Sequence, residues 1–129
     1  MNILIIEDNL DAIEVLRVLL KDHNLIIAKT GSEAIDIIDE TIDFDLVICD
    51  HNFPYFEGER PEGIGHTILF ELVHSNYKGH FLHFSQDPCP EKYDLKDNVK
   101  FFSLNKSYCL SDRKFLLFEY LDDIQEGLI

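Results

Sequence analysis

Tryptophan is absent from this chain of 129 residues, methionine occurs once, and positive charge is scarce. Eleven Lys and Arg stand against 25 Asp and Glu, a formal net charge of −14 at neutral pH. Such a surface repels phosphate backbones and anionic lipid, so neither nucleic acid nor membrane is an expected partner of this chain alone. A basic protein partner stays open. Cysteine is scarce too. Cys49, Cys89 and Cys109 are odd in number, scattered, and form no Cys-x-x-Cys pair, which excludes a disulfide framework and points to a reducing cytoplasm. Cys49 falls in an apolar run, whereas Cys89 and Cys109 are expected in polar loops. No apolar run approaches the length of a membrane span. Met1-Asn2-Ile3-Leu4 lacks the basic flank and cleavage site of a signal peptide. There is no internal repeat, low-complexity tract or linker, so residues 1–129 are expected to form one domain. An apolar fraction of 46% suits a globular core.

What is present is alternation. Apolar runs are expected as strands at Asn2–Ile6, Leu25–Ala28, Asp45–Cys49, His80–Phe84 and Val99–Leu104. Between and after them lie helical patterns. The first, about Leu10–Asp22, has Asn9 as cap and a stripe of Ile13, Leu16, Leu19 and Leu20. The second follows Thr30-Gly31-Ser32, with Ser32 as cap and Ala34, Ile35 and Ile38 inward. The third is about Gly65–Ser75. The last is about Ser111–Gln125, with Phe115, Leu116, Phe118, Leu121 and Ile124 inward. Pro88 and Pro90 restrict any fourth helix to a short one starting near Pro90. The pattern predicts an α/β fold: a doubly wound, five-stranded parallel sheet with helices on both faces and a shortened fourth helix.

Four of the strands run into polar residues. Glu7-Asp8 follows the first, Asp50 the third, Ser85 the fourth and Lys106 the fifth. In open parallel sheets, ligands bind at the carboxyl ends of the strands. Three acids, a hydroxyl and a lysine would meet there. Clustered carboxylates repel one another unless a positive group joins them. Lys106 supplies one charge, and a hard divalent cation bound by oxygen ligands can supply more. Glu7, Asp8, Asp50 and a backbone carbonyl near Asn52 are the candidate metal ligands, and Mg2+ is the expected ion. The competing reading is a solvated acidic loop. A carboxylate can also act as nucleophile towards phosphorus, with metal, lysine and hydroxyl neutralising the phosphoryl oxygens.

The ordered set resembles the response-regulator receiver domain along the whole chain. The matching residues are Glu7-Asp8-Asn9, Asp50 at the end of Asp45–Cys49, Pro54 four residues beyond it, Ser85 and Lys106. The resemblance implies strand order 2-1-3-4-5. It implies two-component signal transduction, with Asp50 accepting a phosphoryl group from a histidine kinase or phosphotransfer protein. It makes Glu7, Asp8, Asp50 and the Asn52 carbonyl the Mg2+ ligands, Ser85 the switch hydroxyl and Lys106 the phosphate partner. No conventional enzyme is expected, at most self-phosphorylation and autodephosphorylation at Asp50, with output through protein contacts.

Four positions depart from the receiver pattern. Ser103 stands where receivers usually carry an aromatic residue. Ser107 replaces the proline after the lysine, so the loop there is either strained or differently shaped. Gln86 replaces a very small residue. The loop after Asp50 is longer by about five residues if Gly63 occupies the usual glycine position; its residues 55–57 and 59–62 could flank the acidic site, but the expected reading is a tolerated surface insertion. These departures sustain an alternative, a degenerate receiver acting as a phosphorylation-independent binding module. A haloacid-dehalogenase-type phosphatase is disfavoured because Asn52 stands where a second acid is required. A flavodoxin-type flavin binder is disfavoured because Glu7-Asp8 would repel the phosphate. His51 is expected to line the loop. His80 and His83 should face opposite sides of their strand.

Overall fold

Every expected strand forms. The computed structural model describes residues 1–89 and 99–129, and the expected short helix near Pro90 lies outside the described residues. In chain order the elements are β1 (Asn2–Ile6), α1 (Leu10–Leu19), β2 (Asn24–Ala28), α2 (Gly31–Glu40), β3 (Leu46–Cys49), β4 (Asn52–Phe53), β5 (Glu62–Gly63), α3 (Gly65–His74), β6 (His80–Ser85), β7 (Lys100–Asn105), α4 (Lys106–Cys109) and α5 (Lys114–Gln125). The main sheet is parallel, in the order β2-β1-β3-β6-β7, which is 2-1-3-4-5 when its five strands alone are counted. β4 and β5 form a separate antiparallel pair.

The central strands are apolar on both sides because both faces are covered. Leu4, Ile6, Val47 and Phe81 pack with Ala34, Ile38, Leu69 and Leu72 of α2 and α3. Ile3, Ile5, Ile48 and Leu82 pack with Leu16 of α1 and with Leu117 and Leu121 of α5. Each such buried side chain contributes roughly 1.5–3 kcal/mol of hydrophobic stabilisation. Asn9 caps α1 as expected, its side-chain oxygen accepting from the Ala12 amide at 2.9 Å.

Several local expectations are corrected. The cap of α2 is Thr30, whose Oγ1 accepts from the Glu33 amide at 3.1 Å, and not Ser32. The reason is tertiary: the Pro54 and Tyr55 carbonyls take the Gly31 and Ser32 amides, so the chain is already helical at Gly31. α1 stops at Leu19, before Asp22. α5 starts at Lys114, and its buried stripe is Leu117, Tyr120 and Leu121. Phe115 and Phe118 are 53% and 40% exposed, so the aromatic residues of this helix are not all core. Tyr120 is buried in the core beside Leu117 and Leu121, with Phe102 stacked on it at 5.1 Å. Cys109 is fully buried at the end of α4, not in a polar loop. The chain after Lys106 is differently shaped: it enters a single helical turn, α4, capped by Asn105, whose Oδ1 accepts from the Tyr108 amide at 3.1 Å.

Candidate functional site: an acidic pocket at the strand ends

The register of the parallel strands sets this site. Ile6 pairs with Cys49 and Ser85 with Asn105, so the residues that follow emerge at one edge. Glu7, Asp8, Asp50, Asn52, Ser85 and Lys106 line one pocket of about 630 Å³. All six sequence candidates are therefore brought together.

Lys106 is the positive centre. Its Nζ lies 2.8 Å from Asp50 Oδ2 and 3.0 Å from Glu7 Oε2. Asp50 Oδ1 accepts from the His51 amide at 2.7 Å, and Glu7 Oε1 accepts from the Asn9 amide at 3.1 Å. The Asp50 carboxylate is thus held from both sides, yet it is close to fully buried. One lysine does not satisfy two buried acids and a third beside them. Burial first, and then the nearness of Asp50, push the Glu7 carboxyl up to about 7, against the pull of Lys106. Burial also raises the Asp8 carboxyl above its ordinary value. Burial acts to lower the Lys106 ammonium, but its hydrogen bond to Asp50 and the charges of both acids outweigh that and raise it.

The donor set fits a hard cation. One oxygen each from Glu7, Asp8 and Asp50 lie within 4.8 Å of one another, close enough to share one ion. Two of the three acids are buried, unlike the members of an ordinary solvated acidic loop. Asn52 lines the same pocket, with its side-chain amide donating to Asp87 Oδ2 at 3.0 Å. Ser85 Oγ accepts from the Asp87 amide at 3.2 Å. Gln86 is exposed at the mouth, its Oε1 accepting from Ser107 Oγ at 3.5 Å.

Sequence reasoning missed two participants. Asp87 ties the β4 side of the pocket to the Ser85 turn, and the signal was available, since Ser-x-Asp after a strand is a turn pattern in which the hydroxyl takes the amide two residues on. His51 was expected only to line the loop. Its amide holds Asp50, its carbonyl takes the amides of Ile64 and Gly65, and its buried ring lies 5.9 Å from that of His83 and 6.3 Å from that of His66. His80 and His83 do face opposite sides, His80 towards Tyr120 and His83 towards His51 and Ser103. Pro61, in the long loop, lines the acidic pocket.

No known family profile matches the sequence, and no curated protein sequence matches it. Solved structures do. A two-component response regulator from Clostridium difficile superposes with a TM-score of 0.74 at 17% identity, over 99% of this chain and 98% of that one. The chemotaxis protein CheY4 of Vibrio cholerae gives 0.70 at 20% identity, over 95% and 97%. The response regulator TrrA of Thermotoga maritima, solved in complex with Mg2+ and BeF, gives 0.65 at 20% identity, over 92% and 96%. The fold of this chain is that of the response-regulator receiver domains, with the strand order that the resemblance implied.

Proposed function

We propose that this chain is a receiver for two-component signalling that accepts a phosphoryl group on Asp50. The observation that carries this reading is the pairing of Lys106 with Asp50 and Glu7 in a pocket whose third acid, Asp8, completes an ion-sized set of oxygens. Glu7, Asp8, Asp50 and the Asn52 carbonyl would hold Mg2+, which would supply positive charge to the phosphoryl oxygens and to the acids themselves. The donor is a phosphohistidine of a histidine kinase or phosphotransfer protein. An Asp50 oxygen attacks phosphorus, the new P–O bond replaces the P–N bond, and the imidazole nitrogen leaves with the electron pair. Lys106 keeps its charge and turns from the free carboxylate to the phosphoryl group. Ser85 Oγ accepts from the Asp87 amide with a lone pair, which leaves its O–H to donate to the same group.

In this reading residues 1–129 act as one cytoplasmic unit whose output is a protein contact. Among the described residues, no helix is long and apolar enough to cross a membrane. The second reading is a binding module that is never phosphorylated. It is favoured by the small Ser103 on β7, which pairs with His83. Mass spectrometry after incubation with acetyl phosphate and Mg2+ separates the two. Wild type should gain one phosphate, and Asp50→Asn should gain none. A wild type left unmodified by acetyl phosphate, by candidate kinases and by beryllofluoride would make the binding module the better account.

A further inference from the structure

The long loop after Asp50 is built, not slack. Its base is the β4–β5 pair, in which Asn52 faces Gly63. Gly63 is required there, because a Cβ at that position would lie 2.7 Å from the His51 ring. Its middle is pinned to α2 by the Pro54 and Tyr55 carbonyls, which accept from the Gly31 and Ser32 amides at 2.9 and 2.8 Å. The Tyr55 ring sits on Gly31, where a Cβ would come within 2.9 Å of it. Its tip closes as a turn: the Glu59 amide donates to the Phe56 carbonyl at 3.1 Å, and the Phe56 amide donates to Glu59 Oε1 at 2.8 Å. Gly58, at φ 85, supplies the left-handed residue that this turn needs.

This scaffold treats its two phenylalanines in opposite ways. Phe53 is completely buried in the core, while Phe56 is 55% exposed. Phe56 rests edge-on against Tyr55, ring centroids 4.7 Å apart, and Tyr55 is itself exposed. An aromatic pair held in a fixed, open position loses little entropy on binding. Aromatic residues are also the commonest interface anchors. The same loop carries the exposed Glu57, Glu59 and Glu62, against the single base Arg60. Ring faces and carboxylates both attract cations, and a guanidinium can satisfy both at once.

We propose that the Tyr55–Phe56 tip and its glutamate rim form a docking site for a protein segment carrying arginine or lysine next to apolar residues. The charge of the tip and of the whole chain excludes a nucleic-acid backbone in this place. The site goes beyond phosphoryl acceptance and does not depend on it. Because the loop starts two residues after Asp50 and its Pro61 lines the acidic pocket, a bound segment would lie beside the acceptor.

The test is a displayed library of random peptides selected on the full chain without Mg2+ or phosphodonor. Recovered peptides should combine Arg or Lys with an apolar residue. Their affinity should fall at least about tenfold for Phe56→Ala, the loss typical of an interface anchor. It should fall several-fold for Glu57→Lys at low salt, and thermal midpoints should stay unchanged. Recovery of no peptide, or of peptides without basic residues, would overturn the proposal. So would basic peptides that bind Phe56→Ala as tightly as wild type, since those would report only general attraction to an acidic protein. If Phe56→Ala lowers the midpoint, Glu57→Lys decides alone, and undiminished affinity in that variant overturns the assignment.

Discussion

The centre of the sheet and its β7 edge differ in what holds them. β1 and β3 are buried almost throughout, and each delivers an acid to the pocket at its end. None of the residues of β7 is fully buried. Of its two middle residues, Phe102 leans on Tyr120 of α5, while Ser103 pairs with His83 Nδ1 at 3.1 Å. The site rests on the pleat and register of central strands, which many side chains enforce together. Contact between the site and the edge runs through few side chains: Ser103 is small and polar, and Phe102 turns to α5. The pocket at the strand ends can therefore keep its geometry while few contacts link it to the β7 edge.

The sharpest way to break this comparison is to remove the charge at the centre. Lys106→Met leaves Glu7 and Asp50 facing each other without their common partner. Loss of one member of a buried ion pair costs about 3–5 kcal/mol. Urea denaturation in EDTA should show a loss at the low end of that range, because Lys106 is partly exposed, and millimolar Mg2+ should restore most of it. A loss that Mg2+ does not restore would mean that the acids do not share an ion.

A second effect follows from Glu7. Its carboxyl is raised to about 7 in the folded chain against an ordinary value of 4.5, chiefly by burial. The folded state therefore holds a proton that the unfolded state has released. Between about pH 4.5 and 7, stability in EDTA should fall as pH rises, by on the order of 1 kcal/mol per pH unit, and level off above 7. Denaturation midpoints across that range check the sign. Saturating Mg2+ should flatten the slope.

Next in size, Asp8→Asn should weaken Mg2+ binding at least about tenfold in titration calorimetry, or roughly 1.4 kcal/mol. Unchanged affinity would place the ion elsewhere. The smallest effect belongs to the edge. Ser103→Ala removes the hydrogen bonds to His83 and Cys89 at an exposed position and should cost no more than about 1 kcal/mol, with Mg2+ affinity unchanged. A larger loss, or a change in Mg2+ affinity, would show that the edge and the centre are more tightly joined than this account holds.

The same contrast explains what was legible in the sequence. Strands buried on both faces announce themselves as unbroken apolar runs, so Ile3–Ile6, Leu46–Cys49 and Phe81–Phe84 place Glu7, Asp50 and Ser85 without further information. Lys106 follows from the shorter run of Phe101, Phe102 and Leu104, although that strand is not buried on both faces. Features decided by tertiary partners were not legible. Thr30 displaces Ser32 as the α2 cap because the Pro54 and Tyr55 carbonyls arrive from a distant loop. The β4–β5 pair is only two residues wide on each side, too short for periodicity to register. The α5 stripe includes Tyr120, whose burial depends on the sheet core it packs into. α4 replaces the expected loop because Asn105 caps the helical turn from the last position of a strand.

Hydrogen exchange with and without beryllofluoride and Mg2+ tests the contrast between centre and edge most directly, because it reads both regions in one experiment. Protection should rise at the Glu7–Asn9 junction, in the Tyr55–Gly63 loop and in the segment after Ser85. β7 and α5 should change little, since a ligand biases only elements whose contacts differ between states. Dominant changes in β7 and α5, with the loop and the Ser85 segment silent, would contradict the account and show that the ordinary receiver switch survives Ser103.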